Sequence, residues 1–333
     1  MDIDYDETME RVVSPDLVSE DAFADRSLRP KTLEYFTGQR DICKNLDVFI
    51  GAAKARGEPL DHVLLSGPPG LGKTTMAQVI ANEMNSAIKI TSGPILTKPG
   101  DLAAILTNMN ERDVLFIDEI HRMHPAVEEM LYPAMEDFKI DILIGEGQSA
   151  KSLRLDIPPF TVVAATTRLG LLSQPLRERF GIPLRFDFYT VDELSAIIIR
   201  NSNLLKFTID EDAAREISQR SRGTPRVAFR LLRRVRDFVS VSGLNNITLQ
   251  MAQKSLDQLN VDPIGLDADD KKYLETIHDL FGGGPVGLDT ISAALCESAN
   301  TIEEVIEPYL IQQGLIQKTA RGRIITQRGC EHI

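Results

Sequence analysis

The sequence predicts an α/β P-loop unit built on a parallel sheet, then a small helical unit, then a C-terminal winged helix. Three observations carry this reading. Between His62 and Phe188, short apolar runs of strand type alternate with helical periodicity, a pattern that makes a parallel sheet covered on both faces. From Thr190 to Leu259 the periodicity is helical throughout. The last stretch shows three helical segments and then two short strands joined through Arg321-Gly322, which is a helix-turn-helix variant with a wing.

In chain order, residues 1–27 are acidic, low in aromatics and rich in Asp, Glu and Ser. A flexible arm is expected there, not a signal or transit peptide. The large unit spans 28–188. Its strands are expected at His62–Ser66, Ile88–Thr91, Val114–Asp118, Thr161–Thr167 and Leu184–Phe188, with helices at Leu71–Asn85, Asp101–Asn110 and Ala126–Phe138 between them. Lys139 to Ile157 breaks the alternation. Ile140, Ile142 and Ile144, then Gly145-Glu146-Gly147, then Leu153, Leu155 and Ile157, read as a hairpin. That ribbon either lies flat on its own body or projects as a docking arm. The helical unit, 189–262, holds Val191–Leu205, Glu211–Arg222, Pro225–Val241 and Leu249–Leu259. The third unit, 263–333, holds helices at Ala268–Phe281, Asp289–Glu297 and Ile302–Gln313, then strands at Leu315–Thr319 and Arg323–Thr326.

Composition narrows the function. A net charge of −12 argues against wholesale wrapping of nucleic acid, though it permits a local basic element. No apolar run approaches the ~20 residues that span a bilayer. Three widely separated cysteines, Cys43, Cys296 and Cys330, suggest neither a disulfide framework nor a zinc site. A cytoplasmic protein is expected.

Gly67-Pro68-Pro69-Gly70-Leu71-Gly72-Lys73-Thr74 follows one of the apolar runs and opens a helix. Strand, glycine loop and helix start form a phosphate cradle: N–H groups turn inward and the helix N-terminus adds positive potential. Lys73 then reaches the β- and γ-phosphates, and the Thr74 hydroxyl ligates Mg²⁺. Val114-Leu115-Phe116-Ile117-Asp118-Glu119 is an apolar strand ending in two carboxylates. Asp118 is expected to hold Mg²⁺, and Glu119 to polarise the attacking water. The strand ending in Thr166 and Thr167 offers either hydroxyl to the γ-phosphate or the water.

Pro175-Leu176-Arg177-Glu178-Arg179-Phe180 supplies two arginines, and Gly223-Thr224-Pro225-Arg226 a third. An arginine given in trans stabilises transition-state charge. His121 and His124 match no zinc spacing and are taken as non-ligands. Lys318, Arg321, Arg323 and Arg328 stand without an acid nearby in the sequence, which points to phosphate contact by the wing. Ile302–Gln313 carries Glu303, Glu304 and Glu307 but no Lys or Arg, so it is a poor reader of the major groove.

This ordered set resembles the AAA+ ATPases, and among them the bacterial motors that migrate Holliday junctions. Leu28-Arg29-Pro30-Lys31 through Gly38-Gln39 resembles their adenine-site segment, and the resemblance covers residues ~20–330. It implies ATP and Mg²⁺ as cofactors, with adenine contacts at Leu28 and Arg29. It places phosphate and metal contacts at Gly70, Lys73, Thr74 and Thr75. Further nucleotide contacts fall at Glu136, Asp137, Phe138 and Tyr189. Arg179, in its Arg-Phe context, is then the trans finger and Arg226 the second sensor. The resemblance also implies a hexameric ring on double-stranded four-way junctions, a junction-binding partner protein docked on hairpin 139–157, and DNA contact at Lys318, Arg321 and Arg323. Two rivals remain: another AAA+ machine, such as a clamp loader or protein unfoldase, or an ATP-dependent transcription regulator.

Overall fold

The structure, a computed structural model, describes residues 28–144 and 151–333. The expected acidic arm and the Gly145-Glu146-Gly147 turn lie outside the described residues. The described chain forms two compact units, Arg29–Phe188 and a second that holds Leu28 and Tyr189–Ile333.

The first unit carries five parallel strands: β1 (Val63–Ser66), β2 (Ile88–Ser92), β3 (Val114–Asp118), β6 (Thr161–Thr166) and β7 (Ile182–Arg185), in the order β2-β3-β6-β1-β7. Every residue of β1 and β6 is buried. That is why these strands read as unbroken apolar runs and not as alternation. The register aligns Ser66 with Thr166 on β6 and Ser92 with Asp118 on β3, so the carboxyl ends of the central strands finish level with one another. β7 starts two residues before the sequence suggests, with Pro183 as its second residue. Proline is tolerated there because β7 lies at the sheet edge and pairs only with β1.

The helix Lys73–Glu83 buries Met76, Val79 and Ile80, as its spacing implies. The helix Arg40–Arg56, which buries Ile42, Leu46, Ile50 and Ala53, is absent from the sequence reading. The hairpin forms from β4 (Lys139–Ile144) and β5 (Lys151–Asp156), with Ile142 opposite Leu153. Ile140 and Ile157 sit in the core, while Ile142 and Leu155 pack against it half-buried. Leu153 is 43% exposed. The base of the ribbon therefore lies on its own unit, and apolar exposure begins further out.

The second unit begins with four helices, Val191–Leu204, Glu211–Gln219, Pro225–Val241 and Leu249–Gln258. A two-residue parallel pair, β8 (Thr208–Ile209) with β9 (Asn246–Ile247), ties them together. Strands this short leave no period to read. The winged helix packs Tyr273, Leu274, Ile291, Ile306 and Leu310 in its core. Its wing is β10 (Ile316–Thr319) against β11 (Gly322–Ile325), with Lys318 opposite Arg323. Val286 adds a third rung through two backbone bonds to Arg323. Only glycine fits at position 322, where φ is +133° and a Cβ would collide with the Val286 carbonyl. A last helix, Gln327–His332, follows with Thr326 as its N-cap.

Candidate active site at the strand ends

The loop after β1 turns on three glycines with positive φ, Gly67 (+141°), Gly70 (+78°) and Gly72 (+97°). A Cβ at Gly67 would stand 2.6 Å from the Phe186 carbonyl, so the loop passes too close to the chain after β7 for any side chain. Lys73 is buried, with Nζ donating to the carbonyls of Gly67 and Pro68, each at 2.7 Å. The ammonium thus lies across the mouth of the loop that the glycines shape. Thr75 follows half-buried in the same helical turn.

The start of the helix Lys73–Glu83 meets the end of β3 through Thr74, whose hydroxyl donates to Asp118 Oδ2 at 3.3 Å. Burial and the neighbouring Glu119 charge push the Asp118 carboxyl above the usual carboxylate range, against the opposing pull of the Glu119 N–H, Lys73 and Thr74. A divalent cation would relieve that pressure. One hydroxyl and one carboxylate suit Mg²⁺, which keeps several waters and takes phosphate oxygens as further ligands. Such a site requires no cluster of three or more acidic, His or Cys ligands, and none occurs among the described residues.

Glu119 adopts a left-handed backbone, φ 46° and ψ 49°. Thr167 donates to its Oε2 twice, from the N–H at 3.2 Å and the hydroxyl at 3.0 Å. Thr166 is buried and does not touch Glu119; its Oγ1 lies 3.0 Å from His121 Nδ1. Of the two hydroxyls left open by the sequence, the one bonded to the carboxylate is that of Thr167.

The two candidate arginines also separate. Arg177 is exposed. Arg179 is held: Nη2 lies 3.0 Å from Glu136 Oε1, Nη1 donates to the Pro175 carbonyl at 2.6 Å, and the guanidinium stacks 4.3 Å above the Tyr132 ring. Glu136 therefore stands with the arginine. Asp137 is exposed, and Phe138 packs edge-on to Phe160 at 6.1 Å. Arg29 is half-buried in the same unit. Leu28, Tyr189 and Arg226 belong to the second unit. There the Leu28 carbonyl accepts from Arg200, and the Tyr189 N–H donates to Gly223 O at 2.9 Å. Arg226 lies in the first turn of the helix Pro225–Val241.

In the wing, the structure gives Arg323 acidic partners that the sequence does not place beside it. Its guanidinium is buried, with Nε donating to Glu307 Oε1 at 2.6 Å and Nη2 to Glu303 Oε1 at 3.0 Å. The Tyr273 hydroxyl donates to the same Glu307 oxygen at 3.0 Å. Lys318 is half-exposed and paired to Glu303 at 2.6 Å. Arg321, at the tip, is exposed.

A glycine loop on a helix start after β1, a carboxylate pair at the end of β3 and a hydroxyl at the end of β6 between them define a P-loop ATPase of the AAA+ type. Family models then match most of the chain from residue 28 onward: the P-loop domain of the Holliday junction DNA helicase RuvB over 28–186, the RuvB AAA lid domain over 189–262 and the RuvB C-terminal winged helix domain over 263–333. The chain is 58% identical over 323 residues to the RuvB subunit of the Holliday junction branch migration complex of Paramagnetospirillum magneticum, covering 97% of this chain and 92% of that one. It superposes on the Thermotoga maritima RuvB Holliday junction branch migration motor with a TM-score of 0.83 at 52% identity, covering 92% and 97% of the two chains. A mutant form of the same protein gives 0.84 at 53% identity, covering 91% and 98%. The chain belongs to the RuvB family.

Proposed function

We propose that this RuvB-family motor binds ATP with Mg²⁺ at the strand ends, works as a hexameric ring in the cytoplasm, and migrates four-way DNA junctions together with a RuvA-like junction-binding protein. As a member of that family the chain is a P-loop ATPase of helicase type that drives branch migration in recombination and repair. The observation that carries the reading is the convergence of Thr74 with Asp118, and of Thr167 with Glu119, at the level ends of β1, β3 and β6.

In this account Lys73 and the loop N–H groups bind the phosphates. Thr74 and Asp118 hold the Mg²⁺, which supplies charge neutralisation during phosphoryl transfer. Glu119 takes the proton of the attacking water, and Thr167 reports the state of the γ-phosphate. Arg179 serves the nucleotide of a neighbouring subunit, and Glu136 belongs to that same face. Leu28, Arg29 and Tyr189 serve the adenine end, and Arg226 answers to the γ-phosphate. Arg321 leads the phosphate contacts of the wing. The partner docks on the outer part of the hairpin. No helix among the described residues is long and apolar enough to cross a membrane.

The test is ATP-dependent dissociation of a synthetic four-way junction, with and without the junction-binding partner. Dissociation that needs ATP and is stimulated by the partner is the expected result. ATP turnover on double-stranded DNA with no action on junctions would return the chain to the rival class of AAA+ regulators.

A further inference from the structure

His121 matches no metal-binding pattern, yet it is one of the most enclosed polar side chains near the site, 7% exposed. Its Nδ1 lies 3.1 Å from Glu119 Oε2 and 3.0 Å from Thr166 Oγ1. Thr167 donates to the same Oε2 through its N–H and its hydroxyl. A carboxylate oxygen only accepts, so the ring tautomer that suits both neighbours has its proton on Nδ1, bonded to Thr166 Oγ1 and facing Oε2. The opposite tautomer would set a lone pair against the carboxylate; the assignment follows from the neighbours. Thr166 is itself fixed, because its Oγ1 accepts from the Arg168 N–H at 3.1 Å. The backbone of Glu119 is fixed as well. It sits in the left-handed region, and a Cβ on Gly93 would collide with its carbonyl.

Two donors from Thr167 therefore meet one carboxylate oxygen, and the His121 ring nitrogen from a second strand end stands 3.1 Å from the same oxygen. We propose that His121 is a positioning residue for ATP hydrolysis: with Thr167 it anchors Oε2 of Glu119, so that Oε1 is the oxygen that meets the attacking water and takes its proton. The ring also joins the turn after β3 to the end of β6, so a movement of the Thr166-Thr167 segment is passed to the carboxylate through His121. This inference rests on the reading of Glu119 as the proton acceptor.

The test compares His121→Phe, which keeps an aromatic ring but has no donor, with His121→Asn, whose amide can place an N–H near the position of Nδ1. Loss of orientation at a catalytic group costs on the order of 10²-fold in rate. His121→Phe is expected to lower kcat by roughly 10–100-fold, with ATP affinity, read with a fluorescent nucleotide, within about two-fold of wild type. His121→Asn is expected to recover most of that loss. His121→Phe combined with Thr167→Val is expected to lose less than the product of the two single effects, because both residues hold one oxygen. Thermal melts show which variants are folded, and the Asn and Thr167→Val arms stand even where the Phe variant melts low. A folded His121→Phe with wild-type or higher kcat overturns the proposal, as does an Asn variant as slow as Phe, or affinity falling in step with kcat. Glu119→Gln separates the two readings. Turnover in that variant removes the role of Glu119 itself. An inactive Glu119→Gln beside a fully active His121→Phe removes only the role of His121.

Discussion

The strand-end site and the wing both gather charge, but they satisfy it in opposite ways. At the strand ends two carboxylates are crowded together, and Asp118 is pushed toward its neutral form by burial and by Glu119. The groups around them are mostly neutral donors, a hydroxyl from Thr74 and an N–H and hydroxyl from Thr167. In the wing, Arg323 is answered by Glu307, Glu303 and, through Glu307, Tyr273. The same network raises the Arg323 pKa, chiefly through the hydrogen bond to Glu307, and burial pushes the Tyr273 hydroxyl well up. Charge left under pressure marks where a ligand is to come, and charge already paired inside marks structure. Density of like residues in the sequence does not distinguish the two.

Removing the cation at the ligand end should give the largest effect. Lys73→Ala is expected to lower ATP turnover by roughly 10³-fold or more, since a positioned cation on the transferring phosphate is lost, with a melting curve close to wild type. Turnover near wild type would remove the contrast at its source. At the structural end the expectation is reversed. Arg323→Ala leaves buried Glu307 without its close cation, holding the Tyr273 hydroxyl at 3.0 Å and Lys318 at 3.9 Å, and breaking a buried ion pair costs up to about 3–5 kcal/mol. Calorimetry should show the winged helix melting early, while DNA-free ATP turnover of folded protein persists. A stable Arg323→Ala with weakened DNA binding would return Arg323 to the interface.

Arg321→Ala sharpens the same contrast. Its stability should not change, and each phosphate contact it makes should take roughly 0.9 from the slope of log affinity against log salt, equally across DNA sequences. An unchanged slope would place the DNA grip elsewhere. Leu153→Glu probes the hairpin, whose exposed apolar surface is proposed to dock the partner. Co-sedimentation with the junction-binding protein should weaken while basal ATPase holds. Unchanged co-sedimentation would favour the reading in which the whole ribbon serves its own unit.

The smallest effect concerns His62, a half-buried ring that receives the Val162 N–H on Nδ1 and bonds Met135 O through Nε2. Burial lowers its pKa, so the folded state resists the proton that the unfolded chain accepts near pH ~6.5. The stability this neutral ring contributes is present above pH ~6.5 and declines as pH falls below it, at most about 1.4 kcal/mol per pH unit. His62→Asn should flatten the dependence of Tm on pH between about 7 and 5. An unchanged acid slope would assign it to other groups.

The strand-end site was legible because each role there is carried by a residue and its own stretch of backbone. The glycines, Lys73 and Thr74 are contiguous, and β1, β3 and β6 announce themselves as apolar runs. The pairing of Arg323 was not legible because the acids that claim it come from the helix before it, 16 and 20 positions away. Glu303, Glu304 and Glu307 were visible in the sequence, yet their face became known only once that helix was packed. His121 escaped for a related reason. A search for metal spacing asks about its sequence neighbours, whereas one of its partners is Thr166, 45 positions on. The usable signal was a histidine two residues past the carboxylate pair, in a turn that must double back toward the next strand. Arg177 and Arg179 could not be told apart by spacing; Tyr132 and Glu136, which hold only the second, lie on another helix.

The central claim is that nucleotide chemistry is shared between subunits, with the P-loop of one completed by Arg179 of the next. Its direct measurement mixes two inactive proteins, Lys73→Ala and Arg179→Ala, and follows ATP turnover after mixed rings have been verified. In a mixed ring, an Arg179→Ala subunit keeps its P-loop and a Lys73→Ala neighbour keeps its arginine, so one interface is whole. The account predicts turnover well above the sum of the separate proteins. Verified mixed rings no more active than that sum would place the arginine in the same subunit as the nucleotide it serves, and would contradict it.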